Sequence, residues 1–127
     1  MAWSFSPDRP LYLQLLEQMK MSIVSGKYQP GDKLPAIREL ALEAAVNPNT
    51  AQKAMAELER EELIYSLRTS GKFVTSEIAL IEKAKSELAR ELIIRFLENM
   101  AAIGYSRQET AVLVTEETKE VDTNGNS

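Results

Sequence analysis

The chain has 127 residues, 44% of them apolar and 27% charged, with a net charge of −4 and neither cysteine nor histidine. That length and balance suit one soluble domain, or one small domain with an appendage. The two missing residue types exclude disulfides, Cys/His zinc sites, and thiol or imidazole catalysis.

The opening "MAWSFSPDRP" has no basic run followed by an apolar core, so no signal peptide is expected. No apolar run approaches the roughly 18 residues that cross a membrane. The lack of cysteine fits a reducing compartment. A cytoplasmic protein with no membrane partner is expected.

"PLYLQLLEQMKMSIVS", residues 10–25, carries Tyr12, Leu15, Leu16, Met19, Ile23 and Val24 at helical spacing. Pro10 suits the first turn and Gly26 the stop. "GKYQPGDKLP" then reads as a turn-rich connection. "AIRELALEAA" predicts a short helix with Ile37, Leu40, Ala41 and Ala44 on one face. A third helix is expected from Pro48 to about Glu61, with Ala51, Ala54, Met55 and Leu58 inward. The period then changes. "LIYSL" and "KFVT" are rich in β-branched and aromatic residues, and "RTSG" separates them, which predicts a hairpin. Two short helices joined by a few residues form a helix-turn-helix pattern, and the hairpin adds a wing.

A long helix is expected from Ser76 to about Ile103. Ile78, Ile81, Leu88, Leu92, Phe96, Met100 and Ile103 form its stripe, flanked by Ala84, Ala89, Ile93 and Leu97. Gly104 ends it. Ser106 with Glu109 is a capping box that opens a last helix holding Ala111, Val112 and Leu113. So short a helix cannot cover so long a stripe. Two copies burying Ile81, Leu88, Leu92, Phe96, Met100 and Ile103 together as a twofold homodimer would cover it. The fold class expected is mainly α with a small β-hairpin. Residues 1–75 form a winged helix-turn-helix, 76–118 a helical dimerisation segment, and 119–127 a flexible tail.

The stretch "VNPNTAQKAM" carries the functional reading. Asn47 can cap the third helix, and Pro48 suits its first position. Capping alone requires none of Asn49, Thr50, Gln52 and Lys53. A helix entering the major groove reads base edges from near its N-terminus. Asn and Gln can pair with adenine through two hydrogen bonds. Thr and Lys can reach phosphate. Arg38, on the preceding helix, can clamp backbone phosphate. Arg68 and Lys72 flank Thr69, Ser70 and Gly71 at the hairpin tip, a small and cationic end suited to a groove or backbone.

The net charge weakly opposes a nucleic-acid partner, but it is unevenly placed. Residues 1–75 balance nine cations against nine anions, whereas residues 76–127 hold six against ten. Glu57, Glu59, Glu61 and Glu62 read as a solvated charge run at a helix end. The five glycines are scattered and form no phosphate loop. No catalytic constellation and no cofactor site is visible, so an enzyme is not expected.

Residues 10–74 resemble the DNA-binding domain of GntR-family transcription regulators. The resemblance rests on "YQPGDKLPAIRELA", "VNPNTAQKA" and "LEREELIYSLRTSGKFV". "NPNT" together with a short two-helix C-terminal segment is similar to the YtrA-type subfamily. The resemblance implies a winged helix-turn-helix that binds a palindromic double-stranded operator as a homodimer, usually to repress. It implies that Arg38, residues 47–53 and the hairpin tip around Gly71 face DNA. It also marks departures. Pro48 and Gln52 stand where many relatives carry Arg, which should lower non-specific affinity and shift readout towards adenine. Ala45 and Glu62 replace glycines, and a residue at Glu62 forced to positive φ is strained. The tip Leu67-Arg68-Thr69-Ser70-Gly71 has one cation and one glycine fewer than the usual Arg-Arg-Gly-x-Gly. The alternative is a winged-helix protein-interaction module that does not bind DNA. No residue set points to a small-molecule effector.

Overall fold

A computed structural model describes residues 3–123. Its elements are α1 (Leu11–Val24), α2 (Ile37–Ala44), α3 (Pro48–Arg60), β1 (Ile64–Leu67), β2 (Gly71–Val74), α4 (Ile78–Ala102) and α5 (Arg107–Thr123). They fall into two units, divided after Ser86. The five helices and the antiparallel hairpin make a mostly helical winged helix-turn-helix.

In the first unit the helical periodicity becomes the core. Leu15, Leu16, Met19 and Ile23 of α1 pack with Leu40, Ala41 and Ala44 of α2 and with Ala51, Ala54, Met55 and Leu58 of α3. Leu63, Ile64 and Val74 close it from the hairpin side. Ile81 belongs to this core too, at 8% exposure, with Ala84 beside it. By periodicity alone Ile81 falls in the dimer seam and the first domain ends at residue 75. The first turns of α4 instead cover their own chain's core, so Ile81 is unavailable to a partner.

Two other segments do more than their composition suggests. The N-terminal arm is held along α1 by glutamine amides, which offer the donor and acceptor of a peptide group. Gln18 Nε2 donates to the Ser4 carbonyl at 2.8 Å, and Gln14 Oε1 accepts the Ser6 N–H at 2.7 Å. Trp3 and Phe5, stacked 6.3 Å apart, then pack against the core. The turn-rich connection also runs along β2: the Leu34 N–H donates to the Lys72 carbonyl and the Val74 N–H to that of Asp32, both at 2.9 Å.

Three helix ends share one geometry. An N–H two or three residues beyond the end reaches back to the fifth residue before it: Val46 to the Ala41 carbonyl, Leu63 to Leu58, and Tyr105 to Met100. The residue in between must be left-handed, and glycine is the usual occupant. Here φ is 101° at Gly104 but 56° at Ala45 and 63° at Glu62. A Cβ in this region is disfavoured by about 1 kcal/mol. Ala45 is exposed, so its methyl contributes little packing in return. Ala45→Gly is therefore expected to stabilise the chain by about 0.5–1 kcal/mol, net of the extra freedom glycine adds to the unfolded chain. Urea unfolding checks this; a lower midpoint would mean that the methyl packs usefully.

In the second unit, the Ser106–Glu109 capping box forms as the sequence reading expects. The Ser106 N–H donates to Glu109 Oε1 at 2.9 Å, and the Glu109 N–H to Ser106 Oγ at 3.1 Å. The Ser106 N–H first, and the Ser106 hydroxyl second, hold the Glu109 carboxyl below the usual carboxylate range. Leu92, Phe96 and Ile103 are 57%, 43% and 71% exposed, while Leu88 and Met100 are half-buried. α5 continues to Thr123, past residue 119 where the sequence reading begins a tail. The rest of that expected tail lies outside the described residues. Among the described residues no helix is long and apolar enough to cross a membrane.

Candidate nucleic-acid interface

The start of α3 is closed by its own cap. Asn47 is extended (φ −63°, ψ 139°), and its Oδ1 accepts the Asn49 N–H at 2.8 Å. Its carbonyl takes the N–H groups of Thr50 and Ala51, at 2.9 and 3.2 Å. Pro48 has no N–H to offer. The first turn therefore leaves no backbone donor free for a phosphate. Whatever α3 binds, it binds with side chains. Asn47 Oδ1 is committed to the cap, so its amide NH2 is what remains for a ligand.

Those side chains point outward because Ala51, Ala54, Met55 and Leu58 fill the inner face. Asn49, Gln52 and Lys53 are exposed, and Thr50 is half-buried. Lys53 Nζ lies 4.0 Å from the centroid of the Tyr12 ring on α1, a cation–π contact that restrains it. By spacing alone Tyr12 is only an apolar position of α1. Forty-one positions separate it from Lys53 in the chain, too far for any local pattern to register the pair. Arg38 is exposed near the start of α2 and makes no ion pair among the described residues.

The hairpin is in the register Ile64↔Val74, Tyr65↔Phe73, Ser66↔Lys72, Leu67↔Gly71. Its loop is Arg68, Thr69 and Ser70, all exposed, closed by the Ser70 N–H on the Leu67 carbonyl at 3.1 Å. Gly71 opens β2 rather than forming the tip. Its φ of 108° favours glycine, and a Cβ there would come 3.2 Å from Lys33 Cε. The hairpin faces alternate. Tyr65 and Phe73 stack on one side, 5.8 Å apart, while Ile64 and Val74 enter the core on the other.

Lys72 lies on the core side, a step below the tip, and does not stand free. Its Nζ is 2.8 Å from Glu59 Oε1 and 2.9 Å from Ser66 Oγ. The Lys72 bond first, and that of Ser66 second, hold the Glu59 carboxyl below the usual range. The acidic run read from the sequence as a solvated face is thus largely engaged: Glu57 with Arg60, Glu59 with Lys72, and Glu61 with Lys20 at 2.6 Å. One cleft of about 350 Å³ is lined by Gln52, Ala56, Glu59, Arg60 and Lys72. It joins the side-chain face of α3 to the wing.

Residues 11–74, half of the chain, match the model of the bacterial regulatory proteins of the gntR family. The chain belongs to the GntR family. It is 34% identical over 105 residues to the HTH-type transcriptional regulator YhcF of Bacillus subtilis, covering 83% of this chain and 87% of that one. It is 41% identical over 85 residues to the HTH-type transcriptional repressor YtrA of the same organism, covering 65% of each. A GntR family transcriptional regulator from Listeria monocytogenes superposes with a TM-score of 0.79 at 37% identity, over 88% of this chain and 98% of that one. The DNA-binding domain of AraR, solved in complex with operator ORX1, superposes with a TM-score of 0.55 at 30% identity, over 59% of this chain and 96% of that one. The likeness to the GntR structure from Listeria extends beyond the winged helix into the helices that follow.

Proposed function

We propose that this GntR chain is a cytoplasmic repressor without enzymatic activity that binds a palindromic double-stranded operator as a homodimer. The observation that carries this reading is the capped start of α3, whose backbone donors are spent and whose exposed side chains are Asn49, Gln52 and Lys53. Such a terminus cannot hold an anion through its backbone. It can read base edges, Asn49 and Gln52 by paired hydrogen bonds, with Thr50 and Lys53 on backbone phosphate. Arg38 and the loop Arg68–Thr69–Ser70, with Gly71 and Lys72 behind it, supply flanking contacts to the sugar-phosphate backbone. The operator-bound AraR domain is a precedent for such binding among the structural neighbours. That precedent outweighs the acidic balance that favoured a protein-interaction module.

The helices after the wing serve dimerisation in this reading. Leu92 and Phe96 lie open on α4 and Ile103 just beyond its end, with Leu88 and Met100 half-buried among them. A twofold pair burying this face would supply two copies of α3, one for each half of a palindrome. The winged unit, which runs through the first turns of α4 to Ser86, then carries DNA contact, and the helical residues beyond it carry assembly.

Fluorescence anisotropy on the duplex upstream of the chain's own gene, against a scrambled duplex at two salt concentrations, tests the proposal. A preference of about a hundredfold or more is expected for the native duplex. Equal and salt-sensitive binding to both would remove sequence-specific readout from the proposal.

A further inference from the structure

The cleft between α3 and the hairpin contains two cations that already have partners. Arg60 is bound to the Glu57 carboxylate. Lys72, Ser66 and Glu59 close a ring: the Ser66 hydroxyl donates to Glu59 Oε1 at 2.8 Å and accepts from Lys72 Nζ at 2.9 Å, and Lys72 donates to the same Glu59 oxygen at 2.8 Å. Two of the three ammonium N–H groups are thereby used. The Lys72 side chain is only 22% exposed, against 42% for Glu59. Gln52, a candidate base reader, lines the same cleft, and seven residues place Glu59 two turns further along the same face of α3.

Charge-driven binding to any duplex comes from free cations whose contact with phosphate releases DNA counterions. A lysine already paired inside the protein can make that contact only by breaking its own ion pair. The carboxylate it leaves would also repel the incoming phosphate. A partly exposed pair is weak enough to be displaced when other contacts support the complex. We propose that Glu59 is a specificity-determining residue, an internal competitor that occupies the Lys72 ammonium in place of a DNA phosphate. It suppresses binding to arbitrary duplexes more than binding to the operator, where base contacts compensate. The inference rests on the DNA-binding reading above.

The test is a salt titration by anisotropy on the full chain, with the upstream and scrambled duplexes. The proteins are wild type, Glu59→Gln, Lys72→Met and the double variant. Glu59→Gln is expected to bind the scrambled duplex about three- to tenfold tighter at low salt, with a salt slope steeper by about two per dimer. The upstream duplex should gain less, so the specificity ratio falls. In the Lys72→Met background the same substitution should change little, because the pair is the source of the effect. Glu59→Ala, which also removes the Ser66 bond, should behave like Glu59→Gln. A gain of equal size in the Lys72→Met background would overturn the proposal in favour of plain repulsion. Weaker binding by Glu59→Gln to both duplexes would make Glu59 a support for the wing instead, and unchanged affinities would leave it no role. Wild type that binds neither duplex at low salt would remove the DNA-binding reading itself, an outcome distinct from all the others.

Discussion

Replacing Leu92 and Phe96 together with aspartate is expected to leave the chain monomeric at micromolar concentration and to weaken operator binding by at least about a hundredfold. The two side chains are 57% and 43% exposed in the single chain, so neither substitution opens a cavity in it. In a twofold seam each would occur twice. Because each is already about half covered, burying two Leu and two Phe side chains supplies roughly 3–6 kcal/mol of gross stabilisation before the entropy of association. Four aspartates in their place would have to be desolvated beside one another, which disfavours contact outright. A monomer reaches one half-site at a time and loses the effective concentration that the second half provides. Sedimentation velocity reads the first effect and anisotropy the second. A variant that still sediments as a dimer would remove this face of α4 from the interface. Circular dichroism should show the helical content unchanged.

The substitution pair Gln52→Ala with Lys53→Ala is expected to abolish preference for the operator while leaving the fold intact. Both residues are exposed, and the four apolar positions beneath them are untouched. A well-placed bidentate contact discriminates against a wrong base by about 1–3 kcal/mol. Two half-sites double that, so specific affinity should fall roughly a thousandfold. Lys53 carries a different part of the loss. Removing it should flatten the salt slope by about two per dimer, on any duplex. The Tyr12 ring that restrains it should then lose its cation, with little effect on stability at an exposed site. If the double variant kept its preference for the upstream duplex, base readout would lie elsewhere, and Asn49 would be the next residue to replace.

Much of the framework is local in origin and so could be read from the chain. The spacing of Leu15, Met19 and Ile23, or of Ala51, Met55 and Leu58, specifies a helix and its inner face without reference to any partner. The Asn47 cap and the Ser106–Glu109 box span two or three residues, and both form as their spacing implies. The hairpin follows from a change of period, although its loop is one residue shorter than "RTSG" because Gly71 pairs with Leu67. The family resemblance flagged Ala45 and Glu62 as standing at glycine positions, and both have positive φ.

What escaped the sequence depends on distance in the chain. Ile81 sits in the same apolar stripe as Leu92, but one is buried by its own chain and the other is open. Periodicity tells which residues share a face, never what covers it. Lys72 reads as a tip cation from its neighbours, yet it bonds Glu59, thirteen residues away, because strand alternation turns it towards α3. The pairing of Gln14 with Ser6 and of Gln18 with Ser4 turns an arm without regular structure into part of the first unit. The amino-acid sequence by itself determined which segments are helix or strand, where they start, and which side chains are offered to a ligand, since hydrogen bonds and steric limits within a few residues decide those matters. Only the tertiary structure decided which of those side chains remain free, because a charge or an apolar face is used up by whatever the folded chain brings against it.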